Sequence, residues 1–143
     1  PTAITRLIDL GLEPYLINAT LEGIIAQRLV RRICANCREE YEPTPDAILS
    51  IGVRPEDVKG KKFYRGRGCD RCNNIGYYGR MGVFEVLVIN DELREMMLSG
   101  ASTQEIRSAA RRTGCRSLRQ SGLLAIYDGQ TTIEEISRST IAE

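Results

Sequence analysis

At 143 residues, with 20 Lys and Arg against 19 Asp and Glu, the chain suits one ordinary domain or two small lobes, and its net charge of +1 gives no global field to recruit nucleic acid or an anionic membrane. The complete absence of His excludes Ser-His-Asp and Cys-His nucleophilic devices, so catalysis would have to rest on carboxylates, Lys, Arg or Tyr. No window approaches 18 continuous apolar residues, which argues against a membrane span, and reduced cysteines without an export segment favour the cytoplasm.

Pro1 suits the first turn of a helix that carries Ile4, Leu7 and Ile8 and stops at Gly11. A second helix is predicted from Pro14, with Ile17, Leu21, Ile24 and Ile25 on one stripe. The texture then changes, and Arg28 to Ile33 reads as a strand. Glu39 to Pro45 reads as a polar connector, Pro45 to Ile51 as a helix stopped by Gly52, Pro55 to Val58 as a turn, and Lys61 to Arg65 as a short strand. Val83 to Ile89 is nearly continuously apolar and is the best strand in the chain; paired with Arg28 to Ile33 it would make everything between them an elaborated hairpin loop.

Beyond Asn90 the pattern is helical. Asn90 caps a helix with Leu93, Met96, Met97 and Leu98 that Gly100 closes; the Ser102 to Glu105 capping box opens another with Ile106 and Ala110 that stops at Gly114. A third holds Leu118, Leu123 and Ile126 before Gly129, and a capping box, Thr131-x-x-Glu134 or Thr132-x-x-Glu135, starts a fourth with Ile133 and Ile136. Four short helices are expected to close a small bundle.

The chemistry-bearing residues are four cysteines in two knuckles, Cys34-Ala-Asn-Cys37 and Cys69-Asp-Arg-Cys72. Two thiolates three positions apart reach one ion from one tight turn, and a second turn completes a tetrahedron; Ala35-Asn36 inside the first knuckle is turn chemistry, as are Gly66 and Gly68 just before the second, where backbone N–H groups are expected to point at metal-bound sulfur. Structural zinc is preferred here over redox dithiols or disulfides, because the cysteine count of 5 is odd and four thiolates leave no open position for catalysis. With few apolar residues of its own, the insert is expected to need its metal, and loss of one ligand to unfold it while sparing most of the C-terminal helices. Cys115 is expected to pack as a small hydrophobe.

Other candidates carry less. Arg28, Arg31 and Arg32 read as a solvated strand face with surface ion pairs, or as part of a nucleotide or subunit boundary. Arg65, Arg67, Arg71 and Arg80, with Tyr64, Tyr77 and Tyr78, make a basic aromatic collar that suits a protein partner better than nucleic acid. Glu22 and Glu85 read as structural, paired carboxylates, and no catalytic residue is assigned.

Three segments carry a resemblance: Leu21 to Cys34, the four-cysteine insert followed by Gly76-Tyr77-Tyr78-Gly79-Arg80-Met81-Gly82-Val83-Phe84-Glu85, and Gly129-Gln130-Thr131-Thr132-Ile133-Glu134-Glu135-Ile136. In this order they resemble the type IV pilus assembly and type II secretion ATPases over nearly the whole chain. The resemblance implies an α+β, mainly helical fold: residues 1–33 as the end of a RecA-like ATPase core, 34–75 as a zinc module held by Cys34, Cys37, Cys69 and Cys72, 76–90 as the returning core strand, and 91–143 as a C-terminal helical subdomain. It further implies a cytoplasmic homohexamer, peripheral at the inner membrane, that binds ATP and Mg2+ and passes motion to an inner-membrane platform protein. Walker A, Walker B and His-box motifs are absent, and the Gly60-Lys61-Lys62 sequence is no phosphate cradle. The chain is therefore expected to be a fragment of a larger motor, inactive alone, with no nucleic-acid partner. A stand-alone zinc-ribbon nucleic-acid-binding module is the alternative.

Overall fold

The computed structural model describes residues 2–140. Helix α1 is Thr2–Asp9 and α2 is Pro14–Thr20; strand β1 is Gly23–Ile33, β2 is Arg38–Tyr41, β3 is Phe63–Gly66 and β4 is Tyr77–Val88. Helix α3 is Pro45–Ser50, α4 is Asp91–Leu98, α5 is Thr103–Arg112, α6 is Leu118–Tyr127 and α7 is Ile133–Ser139. The chain is thus α+β with two small two-stranded sheets, β1 with β4 and β2 with β3. The expected role of Pro1 lies outside the described residues.

Several predicted boundaries move: the strand expected over Val83 to Ile89 is Tyr77–Val88, and the one expected over Lys61 to Arg65 is Phe63–Gly66. Helix α2 ends at Thr20 instead of continuing through Ile25, because Ile24 and Ile25 belong to β1. An i, i+4, i+7 spacing fits a helix, but β-branched residues flanked by Gly23 serve equally well on a strand once β4 lies alongside to pair with them. The segment read as a polar connector holds β2, whose register pairs Arg38 with Gly66, Glu39 with Arg65, Glu40 with Tyr64 and Tyr41 with Phe63 in an antiparallel ladder.

The chain forms two compact units: Pro1–Ala26 with Glu85–Arg116, and Gln27–Phe84 with Ser117–Glu143. The first has a core of Ile4, Leu87, Ile89, Leu93, Met97, Ile106, Ala109 and Ala110. Asn90 caps α4 by accepting from the Leu93 amide at 3.0 Å, and Glu105 closes the predicted capping box of α5 by accepting from the Ser102 amide at 2.8 Å. Glu22 pairs with Arg94 at 3.1 Å, as expected of a structural carboxylate, and Cys115 packs against this core.

The second unit has its own core of Val30, Ile48, Ile51, Val58, Phe63, Val83, Ile126, Ile133 and Ile136. Four of these come from the insert between the knuckles and three from α6 and α7. The insert is therefore completed by the last two helices, and the four helices after residue 90 do not close one bundle: α4 and α5 lie in the first unit, α6 and α7 in the second. The reason is apolar supply. Ile48, Ile51, Val58 and Phe63 cannot exclude water by themselves, and the isoleucines of α6 and α7 cover them. No helix among the described residues is long and apolar enough to cross a membrane.

Candidate metal centre

Strand β1 delivers Cys34 directly after Ile33, and β2 leaves directly after Cys37; β3 ends at Gly66 and a single 3-10 turn, Asp70–Cys72, carries the second knuckle. Each knuckle is closed by its own backbone bond, from the Cys37 amide to the Cys34 carbonyl at 3.2 Å and from the Cys72 amide to the Cys69 carbonyl at 3.1 Å. The two loops are then laced together. The Arg67 amide donates to the Cys37 carbonyl at 3.0 Å and the Cys34 amide to the Gly76 carbonyl at 3.0 Å.

That lacing requires glycine. A Cβ on Gly66 would lie 1.9 Å from the Gly76 carbonyl oxygen, and Gly76 sits at φ +76. Two backbones touch where ordinary side chains would hold them apart.

The four cysteine sulfurs all lie within 4.8 Å of one another. Cys34 to Cys69 is 3.9 Å, Cys37 to Cys72 is 3.8 Å and Cys69 to Cys72 is 3.7 Å. A disulfide needs about 2.05 Å. A tetrahedron with metal–sulfur bonds of about 2.3 Å has edges of about 3.8 Å, so the donor set fits one tetrahedral ion. Cys34, Cys37 and Cys72 are buried, and Cys69 is partly exposed.

Three N–H groups point at these sulfurs, each at 3.3 Å: the Gly68 amide at Cys37, the Cys69 amide at Cys72 and the Asn36 side chain at Cys69. Such donors offset the negative charge that four thiolates bring to one ion. The Asn36 amide holds the Cys69 thiol well below its ordinary range, while burial pushes the Cys37 thiol up. Gly68 is thus placed as the spacing suggested, but Gly66 serves the close backbone approach instead. Asn36, read from sequence only as turn chemistry, is a sulfur donor; its position inside the first knuckle was the available signal.

The basic collar is largely engaged with its own surroundings. Arg65 bonds Glu39 at 2.9 Å and lies over Tyr41 at 5.4 Å, and Arg71 lies over Tyr78 at 4.9 Å. Tyr64 lies under Arg38 at 4.8 Å, whereas Arg67 and Arg80 are exposed.

Arg28 and Arg32 are exposed too, but Arg31 is not a solvated bystander. It stacks on Tyr77 at 4.1 Å, its Nη2 donates to Glu135 at 2.6 Å, and its amide donates to the same carboxylate at 2.9 Å. Thr131 donates to the Arg31 carbonyl and the Ile33 amide to the Gln130 carbonyl, both at 2.9 Å, while Tyr77 and Thr132 share a 2.9 Å bond. Residues 130–135 therefore clamp the end of β1 that leads into the first knuckle. From sequence Glu135 read as half of a capping box; Thr132 does accept from its amide at 3.4 Å, but the carboxylate turns to Arg31.

A family model described as "Type II/IV secretion system protein" matches residues 1–138. The chain is 43% identical over 139 residues to a protein named Type IV pilus assembly ATPase PilB from Thermus thermophilus, covering 97% of this chain and 16% of that protein. It is 41% identical over 139 residues to the type II secretion system protein HxcR of Pseudomonas aeruginosa, covering 97% of this chain and 26% of that one. Against the type II secretion system ATPase E of Vibrio cholerae the identity is 40% over 141 residues, covering 96% and 27%. The chain thus spans between a sixth and a little over a quarter of the length of these relatives.

Proposed function

The chain belongs to the type II/IV secretion system protein family, and we propose accordingly that it forms the zinc-bearing region of a hexameric ATPase that powers type IV pilus assembly or type II secretion. The observation that carries this reading is the four-sulfur cluster, whose spacings suit a closed, structural shell of four thiolates. Cys34, Cys37, Cys69 and Cys72 would hold the ion, and the ion would supply a rigid cross-link between two loops that share few apolar contacts. ATP and Mg2+ belong to other parts of the whole protein, which works in the cytoplasm at the inner membrane.

Within the second unit, the clamp of residues 130–135 on β1 gives the metal module a stiff attachment, which suits passing motion to an inner-membrane platform protein. In the first unit, Ile25, Val86 and Val88 stand exposed on the strands although Leu87 between the two valines is buried. Such a face supports packing against the remainder of a RecA-like core. The nucleic-acid reading has less support, because Arg65 and Arg71 already have partners and the net charge is +1.

Elemental analysis of the purified protein tests the metal directly. One equivalent of zinc is expected, lost in Cys37→Ser; full zinc retention in that variant sinks the assignment. In the complete ATPase the same substitution is expected to abolish pilus assembly or secretion, and normal output from a zinc-free enzyme would remove the force-transmission role.

A further inference from the structure

The four sulfurs are not equivalent toward solvent. Cys34, Cys37 and Cys72 are 1%, 5% and 2% exposed, so a reagent in solution meets only Cys69 without local opening. Cys69 also has a sulfur at hand within its own 3-10 turn: Cys72, three residues on and 3.7 Å away. Cys34, at 3.9 Å, stands on the other knuckle, whose backbone is held by bonds to Gly76 and Arg67.

We propose that Cys69 is the oxidant-reactive position of this centre and Cys72 its resolving partner, so that a hydroperoxide converts the second knuckle to a disulfide and releases the metal. The inference rests on the zinc reading above. In the first step the Cys69 sulfur attacks one peroxide oxygen, the O–O bond breaks, and the departing hydroxide takes a proton to leave as water (or as an alcohol from an organic peroxide). Cys69 is then a sulfenic acid. The Cys72 thiolate attacks that sulfur, the S–O bond breaks, a second hydroxide leaves as water, and the S–S bond forms. Two thiolates are oxidised and one peroxide is reduced. Closing from 3.7 Å to the bonded distance of about 2.05 Å is a movement within one turn. The ion keeps only Cys34 and Cys37, half of a tetrahedral donor set, and dissociates.

The Asn36 side chain donates to the Cys69 sulfur at 3.3 Å and holds it beside Cys72 at the solvent-facing edge of the cluster. Cys115 packs against the apolar core of the first unit.

The test titrates the zinc-loaded protein with hydrogen peroxide, follows zinc with a chromophoric chelator, and maps cysteine states by peptide mass spectrometry after alkylation. Expected is one zinc released for each Cys69–Cys72 disulfide formed, with Cys34 and Cys37 alkylated as thiols, and recovery after a thiol reductant and fresh zinc. First oxidation at Cys34 or Cys37, a cross-knuckle Cys34–Cys69 bond, or Cys69 oxidised with zinc fully retained would each overturn the inference and leave the zinc centre standing. A protein that carries no zinc before peroxide is added removes the metal reading itself, and this inference with it.

Discussion

Single residues in the second unit carry very different weights. Gly66→Ala places a methyl 1.9 Å from a backbone oxygen, and since neither strand can yield without breaking the bonds that lace the knuckles, the loss should exceed about 3 kcal/mol in chemical denaturation with reduced zinc content. Gly60→Ala, where nothing lies within 4 Å, should cost only the φ +79 strain of about 1 kcal/mol and leave zinc unchanged. Arg119 is buried and has no carboxylate partner among the described residues: it donates to the Ser50 carbonyl at 3.0 Å and the Thr140 carbonyl at 2.7 Å, joining the last turns of α3 and α7, where a cation suits the helix ends. Arg119→Met should lose about 2–3 kcal/mol by leaving those acceptors unpaired, and an unchanged melting curve would remove the role. Burial by itself pushes the Glu135 carboxyl up, yet hydrogen bonds from the Arg31 side chain and amide, with Arg31 and Arg138 charge nearby, outweigh it and hold the group below the ordinary carboxylate range. A depressed folded pKa stabilises above the unfolded value and fades as pH falls through the carboxylate range toward the folded one. Stability of the wild type should therefore drop on acidification more than that of Glu135→Gln, measured as denaturation midpoint against pH.

Among the elements, the ladder of β2 with β3 shows why exposed ion pairs contribute little. Glu39 lies directly across from Arg65 and bonds it at 2.9 Å, and Lys62 reaches Glu40 at 2.9 Å, but all four side chains meet water. Glu39→Gln should change stability by less than about 0.5 kcal/mol and leave zinc untouched. The ladder holds instead because Tyr41 and Phe63 close it against the core, where Phe63 meets the Tyr127 ring edge-on at 6.0 Å. In the first unit the capping box of α5 is a local device. Ser102→Ala should cost about 1 kcal/mol and expose α5 amides to hydrogen exchange, with no effect on metal content.

For the chain taken together, two separate apolar cores predict two separate responses to metal removal. A chelator should raise hydrogen exchange across the knuckles, α3 and also α6 and α7, because the same core holds all of them, while α4 and α5 keep their protection. Loss confined to residues 34–75 would show that the insert does not depend on the last two helices. The sequence-based expectation of a spared C-terminal bundle thus changes: half of it is tied to the metal module.

Features made by short-range chemistry were legible in the residues alone. Cys-x-x-Cys spacing made each knuckle, Asn90 and Ser102 set helix starts, and Gly52, Gly100 and Gly114 set the stops, because capping and turn formation involve residues a few positions apart. The order of motifs was equally legible and identified the family. Which segments share a core emerged only from the folded chain. Ile24 and Ile25 match a helix or a strand until β4 lies beside them, β2 is polar until Phe63 closes its ladder, and Glu135 looks like a cap until Arg31 arrives from 104 residues away. Each of those outcomes depends on burial and pairing with a distant partner, and a local pattern holds no information about which partner will be there.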